Sequence, residues 1–166
     1  MSDAEVIRKP DDDARVFLVV VDNSEEMQKA LRFASHRARH TNGRVALLYV
    51  QEPTSFSHWL GVDELMREEA REEGEALLQA LSEKVEKLSG QMPVVYIREG
   101  DRGEELFAQL EEDPSISIVV LAASSKGGEG ADPIISHLIG KGRGKMHTPF
   151  TIVPGTLSDE EIDGLS

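Results

Sequence analysis

The chain has 166 residues, no cysteine and a formal net charge of −13 at pH 7. The missing cysteines exclude a disulfide scaffold, a cysteine-ligated metal centre and thiol catalysis, and they fit the reducing cytoplasm. The charge disfavours broad binding to nucleic acid or to anionic membranes, because both polyanions repel an acidic protein. No apolar run approaches the roughly 20 residues that a membrane-spanning helix needs, so we expect a cytoplasmic protein that does not bind membranes.

The chain opens with a polar segment, which a strand and a helix follow. Residues 1–14 are acidic and polar, which predicts a flexible acidic tail. The unbroken, largely β-branched run at 15–21 predicts a strand that is buried on both faces. Asn23, with Glu26 three residues later, predicts the start of a helix that ends before Gly43.

The rest of the chain continues this alternation. Apolar runs and helical spacing predict, in order, a strand at 44–50, a helix at 63–88, a strand at 93–97, a helix capped by Asp101, a strand at 116–121, a short helix at 133–139 and a strand at 150–153. Residues 158–166 are assigned as an acidic C-terminal tail, for which the alternative is one short helical turn. Ser158 and Glu161 have the spacing of a capping box, but chance explains that match equally well in so acidic a segment.

Strands that alternate with helices and lack two-residue hairpin turns predict an α/β fold with a parallel sheet. We expect three layers, in which a doubly wound five-stranded parallel sheet carries helices on both faces. Ligands of such sheets bind beyond the carboxyl ends of the strands, where the strand order reverses. If the order is 3-2-1-4-5, Asp22 after the first strand and residues 122–130 after the fourth face one crevice.

Several segments resemble parts of the universal stress protein family. They are the first strand and its Asp-x-Ser turn at 17–25, the second strand and the residues after it at 47–53, the turn at 99–101 and the last strand at 148–154. Because the resemblance spans the domain, it is more specific than any one of these segments. It places a universal stress protein-like domain at 15–157.

The resemblance implies a fold, an assembly and a site. The fold is that of the adenine nucleotide alpha hydrolase-like proteins, with strand order 3-2-1-4-5. Members of the family usually form homodimers by pairing their last strands, which here is the strand at 150–153. The resemblance also places Asp22 on the ribose or metal side of a nucleotide site, and the main chain of Val50 against adenine.

Many members of the family bind ATP through a loop written G-x2-G-x9-G-S/T after the fourth strand. Gly127, Gly130 and Gly140 have this spacing, but Lys141 stands in place of the serine or threonine. This alignment also begins late relative to the strand, so the loop is degenerate.

Two other alignments place residues other than glycine in the loop. Anchoring on the fourth strand puts Ala122 and Ser125 at the first two glycines, and anchoring on the last strand puts Ser136 and His137 at the final Gly-Ser pair. A phosphate cradle uses backbone N–H groups at close approach, often at positive φ, which alanine and serine adopt less readily than glycine. Ser124, at the end of the fourth strand, completes the candidate set.

Residues 140–147 are rich in glycine and basic residues, which predicts a loop or a frayed turn rather than a helix. Lys126, Lys141, Arg143 and Lys145 make the longer segment 124–149 locally positive in an acidic chain. The first three of these are candidate anion contacts. A solvated connection whose charges relieve self-repulsion explains the same residues. The segment is not a Walker A loop, since Ile135 stands where that motif requires glycine.

Two smaller groups have alternative explanations. His36 and His40 are four residues apart on the first helix, a spacing that can hold a metal, but no third ligand is evident and cations also suit a helix C-terminus. We therefore assign no metal site. Phe56, His58 and Trp59 fit either packing against the long helix or a surface that contacts a crevice or a partner.

The residues and the resemblance together predict a non-catalytic regulatory domain of the stress response. It acts as a homodimer on an unidentified protein partner, and the degenerate loop leaves nucleotide binding open. The alternative is a switch that binds ATP or AMP with Mg²⁺ and hydrolyses ATP slowly at most. The sequence has no G-x-S-x-G elbow, so we assign no catalytic residue.

Overall fold

The computed structural model describes residues 14–53, 62–124, 133–140, 144 and 146–166. The described residues alternate strands and helices in the order β1 (Val16–Val21), α1 (Glu25–Thr41), β2 (Arg44–Gln51), α2 (Val62–Ser89), β3 (Val94–Glu99), α3 (Arg102–Glu112), β4 (Ile116–Ala123), α4 (Pro133–Ile139), β5 (Phe150–Pro154) and α5 (Asp159–Leu165). Within these ranges, no helix combines the length and apolar character that crossing a membrane requires.

The strands form one parallel sheet in the order β3-β2-β1-β4-β5, which confirms the predicted order. In the centre of the sheet, Val19 of β1 pairs with Leu47 of β2 on one side and with Val120 of β4 on the other. All of β1 is buried, as the β-branched run predicts for a strand that is covered on both faces. The strand order therefore reverses between β1 and β4.

Alternate side chains of β1 enter two separate cores. Phe17, Val19 and Val21 pack in a core that includes residues of α1, α2 and α5. Leu18 and Val20 point to the other face, where the core includes residues of α3 and α4. Helices thus cover both faces of the sheet and make the three layers that the sequence predicts, because each face buries an apolar surface.

The start of α1 differs from the predicted one by a residue. The N-cap is Ser24, whose Oγ accepts a hydrogen bond from the backbone N–H of Met27 at 3.1 Å. Asn23 is therefore not the cap. The reason is Asp22, whose Oδ1 accepts from the backbone N–H of Ser24 at 2.8 Å and from its hydroxyl at 2.5 Å, and so orients Ser24 as the cap.

The acidic segment at 158–166, which the sequence analysis assigns as a tail, forms helix α5. The capping box is present, since Ser158 Oγ accepts from the N–H of Glu161 and the Glu161 side chain accepts from the N–H of Ser158. Ile162, which is fully buried, joins the core on the α1 side of the sheet. One apolar residue in this helix therefore anchors an otherwise acidic segment to the domain.

Candidate functional site

A crevice of about 230 Å³ lies at the carboxyl ends of β1 and β4. Its apolar walls include side chains from β1, α1, β4 and α4, among them Val20, Met27 and Ile134. Its polar lining comprises Asp22, Ser24, Glu26, Arg102 and Ser124. The crevice therefore occupies the point at which the strand order reverses, where open α/β sheets bind ligands.

Asp22 combines a structural and a candidate binding role. It follows the last residue of β1, and one of its carboxylate oxygens holds Ser24 at the start of α1. The same residue lines the crevice, where its carboxylate is a hydrogen-bond acceptor for a hydroxyl or a ligand for a hard cation. The turn after β1 thus presents an acceptor of fixed orientation.

Arg102 is a lining residue that the sequence analysis missed. It is the first residue of α3, directly after the Asp101 N-cap. Its Nε is buried and finds no hydrogen-bond partner among the described residues. Among the described residues it pairs with Glu52 Oε1 at 3.9 Å, which is an ion-pair distance but too long for a hydrogen bond.

The structure brings three of the predicted site residues together, because Asp22, Ala122 and Ser124 all line the crevice. Val50 lies near the carboxyl end of β2, where it is buried in the core that includes residues of α3 and α4. It is not among the crevice residues. The remaining loop candidates, Ser125, Lys126, Gly127, Gly130, Lys141 and Arg143, lie outside the described residues, as do Phe56, His58 and Trp59.

The candidates on α4 do not line the crevice in the described structure. Ser136 is exposed, and its carbonyl oxygen accepts a hydrogen bond from the backbone N–H of Gly140 at 3.0 Å. The ring of His137 packs at 5.3 Å from the ring of Phe107, between centroids. It also lies so close to Gly103 that a Cβ at that position would be 2.9 Å from His137 Cγ. His137 therefore packs against α3.

His36 and His40 contact the C-terminal helix. His36 Nε2 lies 3.1 Å from Asp163 Oδ1, and His40 Nδ1 lies 2.9 Å from the carbonyl oxygen of Ser166. Arg32 binds both oxygens of Asp163, at 2.6 and 2.7 Å. In the part of the chain that the structure describes, no group of three or more histidines and carboxylates is placed to hold a metal ion.

The shifted pKa values belong to clamps between elements rather than to the crevice. Hydrogen bonds from Arg98 of β3 lower the pKa of Glu112, and Arg98 also contacts Glu105 at 2.6 Å. Burial and a hydrogen bond to Asp113 raise the pKa of Tyr96 to about 12. Burial also acts to raise the pKa of Asp113, but hydrogen bonds that include those from Ser115 and Tyr96 outweigh it, and the net shift is downward. These groups fasten α3 and the loop after it to β3.

Comparison with known proteins identifies the class to which this chain belongs. Residues 14–137 match the sequence profile of the universal stress protein family. Because the match covers most of the chain, the chain belongs to the universal stress protein family. A search of curated proteins found no significant match.

Solved structures of the same family share the fold. The universal stress protein UspA from Lactobacillus plantarum superposes with a TM-score of 0.70 at 18% identity, over 84% of this chain and 97% of that one. A family protein from Arabidopsis thaliana with AMP bound gives a TM-score of 0.61 at 17% identity, over 88% of this chain and 94% of that one. A universal stress protein in complex with cAMP gives a TM-score of 0.60 at 12% identity, over 86% of this chain and 98% of that one. The predicted fold class and the resemblance are confirmed.

Proposed function

We propose that this universal stress protein binds an adenine nucleotide in the crevice between β1 and β4 and acts as a non-catalytic regulator of a protein partner. The observation that carries the proposal is the crevice itself, which has apolar walls, includes Asp22 in its lining and lies where the strand order reverses. The structural likeness to relatives whose structures hold AMP and cAMP supports it. A cytoplasmic location, which the cysteine-free sequence favours, is part of the same proposal.

The proposal gives several candidate residues a role. Asp22 accepts hydrogen bonds from the ribose hydroxyls, or holds Mg²⁺ when ATP is the ligand. The main chain of Val50 contacts adenine at the end of β2. Ala122 and Ser124, at the end of β4, contact the phosphate side.

The experiment is a calorimetric titration with adenosine, AMP and ATP, with and without Mg²⁺. We expect micromolar binding of at least one nucleotide by the wild-type protein. Asp22→Asn keeps an oxygen for the Ser24 bonds but removes the charge, and should weaken binding on the order of tenfold, because bonds to charged groups contribute more than neutral ones. Glu75→Gln, at an exposed position of α2, removes the same charge elsewhere and should leave nucleotide binding unchanged. Silence of all three ligands at millimolar concentration contradicts the proposal.

We expect ATP hydrolysis to be slow at most. Asp22, the carboxylate at the end of β1, already accepts two hydrogen bonds from Ser24 with one of its oxygens, and we assign no other residue as a base. A phosphate-release assay at saturating ATP and Mg²⁺ checks this expectation. Turnover of several per second that disappears in Asp22→Asn would instead show an ATPase.

We further propose a homodimer that pairs β5 with β5 of a second copy. β5 lies at one edge of the described sheet, and Ile152 in it is 45% exposed. Edge strands offer unpaired backbone groups to a second chain. Light scattering should give twice the chain mass of 18.3 kDa, and Ile152→Lys should shift it to the monomer. Ile97→Lys is the matched control on the opposite edge strand β3, where Ile97 is 48% exposed. A monomeric wild type, or equal effects of the two lysines, contradicts the β5 interface.

A further inference from the structure

The crevice contains a cation whose hydrogen-bonding capacity the fold leaves partly unused. Arg102 Nε is buried without a hydrogen-bond partner in the described structure, although Arg102 lines the crevice. A buried charged donor that has lost its water and gained no acceptor is costly to the folded state. An acceptor that enters the crevice beside Arg102 therefore supplies an interaction that the described residues do not make.

Glu52 is the acidic group that faces Arg102, and it does not satisfy the buried nitrogen. Its Oε1 lies 3.9 Å from Arg102 Nε, and its side chain is 55% exposed, against 29% for Arg102. A pair so far apart and so solvated contributes little to stability. It still lowers the positive potential at Arg102, so Glu52 competes with any anionic ligand for the same guanidinium.

The charged side chains among the described lining residues limit how much negative charge a ligand can bring. Among the described residues that line it, Arg102 is the one cation, whereas Asp22 and Glu26 supply two carboxylates. Arginine binds phosphate with its planar array of N–H donors, so a single guanidinium suits a single phosphate group. A triphosphate without Mg²⁺ brings further negative charge towards the two carboxylates, which repel it.

We propose that Arg102 supplies the charged contact to the ligand phosphate, and that Arg102 and the two carboxylates make the crevice selective for an adenine nucleotide with one phosphate group over metal-free ATP. This inference rests on the proposed nucleotide-binding function and adds to it the residue and the ligand class. The crevice volume of about 230 Å³ agrees with a compact ligand, since it lies just below the roughly 300–1,000 Å³ of typical small-molecule sites.

The test compares adenosine, AMP and metal-free ATP by calorimetry on the wild type, Arg102→Gln and Arg102→Lys. Loss of a charge-assisted phosphate contact should weaken AMP binding on the order of tenfold to a hundredfold in Arg102→Gln and leave adenosine within about twofold. Arg102→Lys keeps the charge but not the planar donors, so its AMP affinity should fall between those of the wild type and Arg102→Gln. Arg71→Gln, at an exposed position of α2, is the matched control and should leave the binding of all three ligands unchanged.

Glu52→Gln supplies a second variant that leaves Arg102 in place. It should tighten AMP binding several-fold and leave adenosine unchanged, because the competing carboxylate is removed. Thermal melting of each variant checks that the fold is retained. This variant keeps the inference testable even if Arg102→Gln fails to fold.

Three results would overturn the inference. Equal losses for AMP and adenosine in Arg102→Gln would show that Arg102 only shapes the crevice, and the proposed function would survive. Tighter binding of metal-free ATP than of AMP by the wild type would remove the selectivity and again leave the proposed function standing. Absence of detectable binding by every ligand would contradict both the inference and the proposed function.

Discussion

Two helical glycines should respond to the same substitution with opposite signs. Gly74 lies in α2 where the helix crosses Tyr49 of β2, and a Cβ at this position would lie 2.5 Å from the Cε1 of the tyrosine ring and 2.6 Å from its Cζ. Gly164 lies in α5, and a Cβ there would meet nothing within 4 Å. Space beside the helix, rather than helix propensity, therefore distinguishes the two positions.

The magnitudes follow from two opposing effects. Alanine is favoured over glycine in a helix interior by about 1 kcal/mol, because it restricts the unfolded chain. Gly164→Ala should therefore raise the free energy of unfolding by up to about 1 kcal/mol. At Gly74 the added methyl group overlaps the Tyr49 ring, and such overpacking costs about 1–3 kcal/mol. The net effect of Gly74→Ala should be a destabilisation of about 0–2 kcal/mol.

Urea unfolding, followed by circular dichroism at one fixed protein concentration, measures both variants. A second background isolates the cause, since Tyr49→Leu removes the ring atoms that the methyl group would meet. In that background Gly74→Ala should become stabilising by about 1 kcal/mol, which gives a coupling energy between the two sites of about 1–3 kcal/mol. The reasoning is refuted if Gly74→Ala stabilises the wild type as much as Gly164→Ala does, or if its effect is the same with leucine at position 49.

Three further predictions concern α5 and β3. Ile162→Ala should destabilise the protein by about 2–5 kcal/mol and speed hydrogen exchange in α5, because Ile162 is fully buried. Leu165→Ala, at a 66% exposed position, should change the stability by no more than about 0.5 kcal/mol. Equal effects of the two variants would show that Ile162 does not anchor α5. Hydrogen bonding by the Arg32 guanidinium lowers the pKa of Asp163. The contribution of the Asp163 carboxylate to stability should therefore be complete above about pH 4 and lost as the pH falls through the folded-state pKa. An NMR titration that shows an ordinary carboxyl pKa for Asp163 would contradict this. Burial and the hydrogen bond to Asp113 raise the pKa of Tyr96 to about 12. The contribution of Tyr96 to stability should therefore be complete below about pH 10 and decrease as the pH rises towards 12. Tyr96→Phe should abolish this alkaline loss of stability, which ultraviolet absorbance and unfolding measurements together follow.

The sheet was predictable because its central strand has a single environment. The run from Val16 to Val21 is apolar at every position, and only a strand covered on both faces buries all six residues. The alternation of such runs with helical spacing left few parallel topologies to consider. The strand order itself came from the family resemblance, since the local pattern does not state which strands are neighbours.

Helix α5 was foreseen only as the alternative of one short turn, because its stabilising contacts are distant in sequence. Residues 158–166 are acidic, and composition alone favours a solvated segment. Their charges meet Arg32 and His36, which lie far away in sequence, and Ile162 enters a core that α1 helps to build. Composition measures what a segment contains, but it does not show which charges the fold will neutralise.

Arg102 was missed for a related reason. The basic residues that stand out in the sequence lie in the glycine-rich region after β4, which contains Lys126, Lys141 and Arg143. Arg102 stands alone among acidic neighbours, and its place in the crevice follows from the topology. A residue that begins a helix directly after a parallel strand lies at the carboxyl edge of the sheet. That rule, applied to β3 and α3, was the signal that could have found it.

The turn after β1 links the fold to the proposed site, and this link decides which variants are informative. One oxygen of Asp22 holds Ser24, and Ser24 caps α1. Loss of a helix cap costs about 1 kcal/mol, so Asp22→Ala would disturb α1 and the crevice together. Weaker ligand binding by Asp22→Ala would then not distinguish a lost ligand contact from a disturbed fold. Asp22→Asn retains an acceptor for the cap and changes only the charge that a ribose hydroxyl or a cation would meet, so a loss of binding without a loss of stability assigns Asp22 to the ligand.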